Sequence, residues 1–339
     1  MFSKKNSIYL FLIIAGFFVL LYVSGESYYS GLTGEQDKEP ANEKIYALKY
    51  DMIVDKPQSS FWQEVYESAR KSAEKNNVLL ELKGTGWDGD YDKIDFMNMS
   101  IASHTNGIIL QYNGEAGLEE KINEAVDAGI PVVTVMSDAV HSKRQTFVGV
   151  SDYQLGFAYG EKVADYVDQN THNIQILLKK NIDDMNQSQI YTQISNAALD
   201  RAEDGQMIKI SGRNLLSAGT FETEEAVTDI FQQKDNIPDI LVCMDEDTTE
   251  CARQAVIDFN LAGKVKIIGY YTSEDILTAV EKGVISVTCD VDTEQLGKYS
   301  VEALTEYLKE GRANSYYNVD IRFLDKTDIR DMKRGGPNP

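Results

Sequence analysis

From residue 44 onward, short runs of apolar and β-branched residues alternate with amphipathic stretches of helical period. In the first half these runs are IYALKYDMIV (45–54), VLLELKG (78–84), GIILQYN (107–113), PVVTVMSD (131–138) and TFVGVS (146–151), which predict five strands. The second half repeats the alternation with NIQILLK (173–179), QMIKISG (206–212), DILVCMD (239–245), KVKIIGYY (264–271) and VISVTCD (284–290). Between the strands, Ser59 or Ser60 caps a stretch in which Phe61, Val65, Ala69 and Ala73 recur every four residues, and Leu118, Ile122, Ala125 and Val126 form a second stripe. Parallel strands need a crossover, and loops of a few residues between strand and helix supply one. The pattern therefore predicts an α/β fold of two Rossmann-like, doubly wound parallel-sheet lobes, with ligands expected at the carboxyl ends of the strands.

The N-terminus breaks this pattern. Lys4 and Lys5 precede an uninterrupted apolar run over residues 8–23, and polar sequence from Ser24 ends it. That is the layout of a signal peptide or a signal anchor over residues 1–25. No A-x-A site and no lipid-accepting cysteine follows, so we read the run as a transmembrane anchor. Lysines before it and Glu26 after it place the N-terminus in the cytoplasm and the remainder outside. Residues 26–43 are polar, contain Gly and Pro and lack a period, so they read as a flexible stalk.

Composition narrows the function. The chain has 339 residues, 42% of them apolar, enough to bury two cores. Its 54 acidic and 33 basic residues give a formal charge of −21, a field that repels polyanions and argues against nucleic acid as a partner. Cys243, Cys251 and Cys289 are too few for a disulfide framework; they read as buried thiols, with a Cys243–Cys251 bridge as the alternative. His104, His141 and His172 sit in separate polar loops without metal-binding spacing, and no Walker loop, G-x-S-x-G or G-x-G-x-x-G is present. Neither enzyme chemistry, nor a cofactor, nor a metal is expected.

Candidate binding residues are those that follow the strands. Phe61 and Trp62 are adjacent at a helix start, and only one ring fits the 61/65/69 stripe, which leaves the other an aromatic face of the kind a sugar ring packs against, with a hydrophobic staple or core packing of both rings as the alternative. Polar candidates at strand ends are Asn113 and Glu115, Asp138, Asp152, Asp245, and Asp290 with Asp292, with helix capping as the ordinary alternative for each Asp.

Five segments in order, 59–77, 129–138, 148–167, 241–256 and 265–304, make the chain from about 44 to 325 resemble the type I periplasmic binding proteins, the ribose- and galactose-binding group whose core is shared with lactose-repressor-type regulators. The resemblance implies a first lobe of 44–151 plus 291–312, a second of 152–289 plus a last strand at 316–325, three crossings forming a hinge, and a polar tail over 326–339. It implies contacts near Ser60, Phe61, Trp62, Asn113, Glu115, Asp138, Gln189, Asp245, Tyr271 and Asp292. It also exposes departures: Met136 and Ser137 stand where members often carry Asp-Arg, Gln189 where they carry Arg, Met244 and Asp245 where they carry Asn-Asp, and Tyr271 where they carry Asp. The expected function is that of an extracytoplasmic, membrane-tethered binding protein for a sugar or polyol. It would signal to a partner such as a two-component histidine kinase or, alternatively, serve an ABC permease.

Overall fold

The computed structural model describes residues 45–84, 91–178, 184–215, 220–233 and 236–334. The expected anchor and stalk lie outside them, and among the described residues no helix is long and apolar enough to cross a membrane.

Two six-stranded sheets organise the chain. The first has the order β11-β5-β4-β3-β1-β2, built from β1 (Leu48–Ile53), β2 (Val78–Leu82), β3 (Gly107–Gln111), β4 (Val132–Val135), β5 (Thr146–Gly149) and β11 (Tyr316–Asn318). Every pairing in it is parallel. The second has the order β12-β10-β9-β8-β6-β7, from β6 (Asn173–Leu178), β7 (Lys209–Asn214), β8 (Ile240–Cys243), β9 (Lys266–Tyr270), β10 (Val287–Val291) and β12 (Ile321–Asp325). It is parallel except for β12, which runs antiparallel to β10. The central strands β3, β4 and β8 are buried along almost their whole length, because helices cover both faces of a parallel sheet.

In the first lobe, α1 (Ser60–Lys75) and α9 (Thr293–Glu310) cover one face, while α2 (Lys93–Ala102) and α3 (Leu118–Asp127) cover the other. Phe96, Met97, Leu118 and Ile122 pack on Ile53, Ile108 and Leu110 to form that second layer. In the second lobe α4 (Asp152–Tyr166) packs on α5 (Asp184–Arg201), and α6 (Thr220–Gln232) packs on α7 (Glu246–Asp258).

The two helices that follow lobe crossings are built alike. Ser151 caps α4 by accepting from the Gln154 N–H, and Asp292 caps α9 by accepting from the Gln295 N–H; a Leu-Gly pair then follows in each. The glycine lets backbones meet. A Cβ on Gly297 would lie 2.2 Å from the Val65 carbonyl oxygen of α1, and one on Gly156 would lie 3.1 Å from the Ile190 Cα of α5.

Three crossings join the lobes, between β5 and α4, between β10 and α9, and between β11 and β12. Backbone bonds tie them together: Val319 N–H donates to the Gly149 carbonyl at 2.9 Å and Asp292 N–H to the Asp320 carbonyl at 3.0 Å. The Gln295 amide exchanges two bonds with Asp320.

Three expectations need correction. The segment 316–325 is two strands that belong to different sheets; the chain crosses at Val319 and Asp320, so Tyr316–Asn318 extends the first lobe. Strand β10 begins at Val287 instead of residue 284, because Val284 and Ile285 donate to the Ala279 carbonyl and close α8 (Glu274–Lys282) behind Gly283, whose φ is 75°. The polar tail is partly helical: α10 (Lys326–Lys333) starts from a capping box between Asp325 and Asp328 and buries Ile329 against α8.

Candidate functional site

The strand tips of the two sheets meet around a cavity of about 330 Å³, whose walls include Trp62, Tyr112, Met136, Met244, Tyr270 and Tyr271. Its polar lining comes from loops after β1, β3, β4 and β8. After β1, Asp55 receives Lys93 Nζ at 2.6 Å, and the same ammonium reaches Asn113 Oδ1 at 3.0 Å and Glu115 Oε1 at 3.1 Å. Asn113 Nδ2 donates to both Asp55 and Glu115, and the Asp55 N–H is held by Gln111 Oε1 at 2.9 Å. The Lys93 side chain is only 3% exposed. Taking an amine so far out of water is costly unless it is paired and hydrogen-bonded, and this network supplies both.

On the opposite wall Asp245 caps α7, accepting from the Thr248 N–H at 2.8 Å. Thr249 Oγ1 donates to the Asp245 carbonyl and accepts from the Tyr270 N–H, fixing the end of β9 against the start of α7. Glu246, next along, spans the gap: Lys56 Nζ of the first lobe lies 3.1 Å from its Oε1. Burial raises the Glu246 carboxyl above its ordinary value, with Lys56 working against that shift.

Two lining residues hold left-handed backbones, Met136 at φ 70° and Tyr271 at φ 82°. Such conformations cost a non-glycine residue about 1 to 3 kcal/mol and persist only where neighbours impose them. At Tyr271 the neighbour is β10: the Tyr271 N–H donates to the Cys289 carbonyl at 2.9 Å, and Thr288 Oγ1 donates to the Tyr271 carbonyl at 2.7 Å. The Tyr271 ring lies 4.6 Å from that of Phe61, which stands edge-on to Trp62 at 5.1 Å. This aromatic wall separates the cavity from a larger groove of about 740 Å³ beside the crossings, where Ser60, Phe61, Asp290, Asp292 and Arg322 lie. Within the groove Asp290 is paired with Arg322 at 2.9 Å.

The expected site residues therefore divide. Trp62, Asn113, Glu115, Asp245 and Tyr271 line the cavity, and Ser60, Phe61 and Asp292 line the groove. Asp138 lines neither; it is committed to Arg144 through two bonds of 2.6 Å. Gln189 is exposed on α5 and lines neither space. Phe61 and Trp62 are both buried, at 3% and 2% exposure, so both rings pack in the interior, Phe61 against Tyr271 of the second lobe, while Trp62 also borders the cavity. Ser59, not Ser60, is the cap of α1. Sequence reasoning missed Lys93, Lys56 and Glu246. None of Cys243, Cys251 and Cys289 is in a disulfide, so the Cys243–Cys251 alternative is not realised.

Several solved structures share this fold. GanP, a glucose-galactose binding protein from Geobacillus stearothermophilus, superposes with a TM-score of 0.69 at 22% identity, over 83% of this chain and 98% of that one. AraP, an arabinose binding protein from the same organism, gives 0.68 at 18% identity over 84% and 98%. A XylFII–LytSN complex gives 0.64 at 23% identity over 83% and 98%. No curated protein sequence matches the chain. The two hinged sheets, the cavity at their facing strand tips and a match to the periplasmic binding protein domain over residues 50–313 together establish that the chain belongs to the periplasmic binding protein family.

Proposed function

We propose that this chain is an extracytoplasmic binding protein that closes on a sugar or related polyol between its lobes, is tethered by its N-terminal segment, and passes its occupancy to a membrane partner such as a sensor kinase. The observation that carries the reading is the cavity at the strand tips, whose two walls come from different lobes and touch through Lys56–Glu246 and Phe61–Tyr271. A solute filling such a space makes contacts with both walls only when they are together, so its binding energy shifts the protein toward closure. The lining acceptors Asp55, Asn113 and Glu115 suit hydroxyl donors, and the aromatic walls suit the C–H face of a ring.

The sensor reading draws support from the likeness to XylFII, which is seen in complex with LytSN. A second reading, the capture subunit of an ABC importer, draws on the likeness to a Bacillus halodurans structure described as a sugar ABC transporter sugar-binding protein, with a TM-score of 0.66 at 20% identity. A thermal-shift screen of the full chain against monosaccharides and polyols tests the shared claim, because a ligand that binds only the folded state raises its melting temperature. The expected result is stabilisation by a few related solutes; a flat response across the panel contradicts solute binding. Affinity capture from membranes separates the readings, with a kinase expected for the first and a permease for the second.

A further inference from the structure

Resting on the reading of the cavity as a solute site, we propose that Lys93 is its positioning residue: it touches no solute but holds Asp55, Asn113 and Glu115 as one acceptor surface, and solute affinity depends on its charge. An ammonium has three N–H donors. Lys93 Nζ meets three acceptors, Asp55 Oδ1 at 2.6 Å, Asn113 Oδ1 at 3.0 Å and Glu115 Oε1 at 3.1 Å, so its donors are committed within the protein. Those three residues line the cavity, whereas Lys93 lines a separate space of about 240 Å³ that shares Asp55 and Glu115 with it. Because Asn113 Oδ1 faces the ammonium, its Nδ2 turns to Asp55 and Glu115, at 3.2 Å from each. An ionised carboxylate has about four lone-pair sites, so acceptor capacity remains for solute hydroxyls.

Helix packing alone does not call for a lysine here. Lys93 is the first residue of α2, inside the Asp92–Asp95 capping box, where a positive charge opposes the helix dipole. Its side chain also gives up nearly all of its hydration. Phe96 and Met97 already seat α2 on the sheet, and an apolar residue at position 93 would fill the same space without either cost. An apolar residue would not, however, keep two carboxylates from different loops beside one amide. With no ammonium between them Asp55 and Glu115 repel, and both are exposed enough to turn toward water. A binding constellation that shifts by about half an ångström loses its productive geometry.

The test is calorimetric titration of the full chain with glucose, galactose and arabinose, alongside urea unfolding, on the natural protein, Lys93→Met, Lys93→Arg, Glu115→Gln and the K93M/E115Q double variant. For a sugar that the natural protein binds, K93M is expected to weaken affinity at least about tenfold, the equivalent of one hydrogen bond to a charged group, with little change in the unfolding midpoint. K93R, which keeps the charge, should recover part of the loss. K93M should cost less affinity in the E115Q background than in the natural one, because a residue it acts through is already altered. Lys93→Gln, which keeps a donor but loses the charge, takes the place of K93M if that variant does not fold. Unchanged affinity in K93M, no recovery in K93R, or a loss that is the same in both backgrounds overturns the inference and leaves the solute-binding reading standing. Binding of none of the three sugars overturns the inference as well, and the wider thermal-shift panel then decides whether the solute reading falls with it.

Discussion

Lys56 Nζ sits 3.1 Å from Glu246 Oε1, so the loop after the first strand of one lobe is joined to the first turn of a helix in the other. Lys56 is half exposed, and ion pairs of that kind contribute less than about 1 kcal/mol. Even that much shifts an open-to-closed equilibrium about fivefold. Lys56→Met is therefore expected to enlarge the radius of gyration of the ligand-free protein in small-angle scattering, with little change in melting temperature. An unchanged radius would mean that the pair does not hold the lobes together.

Glu246 also sets a pH dependence. Its carboxyl is raised above 4.5 because burial penalises the charged form more than Lys56 favours it. A carboxyl that binds its proton more readily in the folded chain than in the unfolded one lowers stability once ionised. The cost is absent below about pH 4, grows as pH rises from the ordinary value through the raised one, and is complete at neutrality. Glu246→Gln removes it, so the melting temperature of E246Q relative to the natural protein should rise between pH 4 and 7. A difference that stays constant or falls over that range contradicts the assignment.

Trp62 is both wall and core. Its burial predicts that Trp62→Ala costs about 3 to 5 kcal/mol of stability. Because the same ring lines the cavity, solute affinity should fall as well. Urea unfolding and a binding titration check the two effects separately. Lost affinity with unchanged stability would place the ring outside the interior.

Helix contact at Gly297 is expected to tolerate no side chain. An added Cβ meets backbone atoms of α1, Val65 O at 2.2 Å and Ala69 N at 2.8 Å, so Gly297→Ala should cost about 3 kcal/mol. At Gly156 the nearest atom is the tip of Gln193, which can swing aside, and Gly156→Ala should cost less. Urea melts of the two variants give the order directly; equal losses would contradict it.

The ten principal strands were legible because buried parallel strands are short apolar runs, and β8, whose residues 240–243 are all buried, is such a run. Strand β11 was not, since a three-residue edge strand carries no period, and what ends it is a crossing fixed by Gly149, far away in sequence. Phe61 and Trp62 show the limit of helical periodicity: it registers one packing surface, whereas α1 meets a sheet, α9 and the second lobe through Tyr271. Lys93 reads as a solvent-facing charge until Asp55, Asn113 and Glu115 are brought around it. Asp138 reads as a ligand contact until Arg144, six residues on, takes its carboxylate.

The most direct test of solute capture between the lobes is hydrogen exchange read by mass spectrometry, with and without the solute that most raises the melting temperature. Slowed exchange should be concentrated in peptides covering Asp55 to Trp62, Gln111 to Glu115, Met244 to Asp247 and Tyr270 to Tyr271, from both walls at once. Protection confined to one lobe, or located away from these loops, would contradict closure around a ligand held at the strand tips.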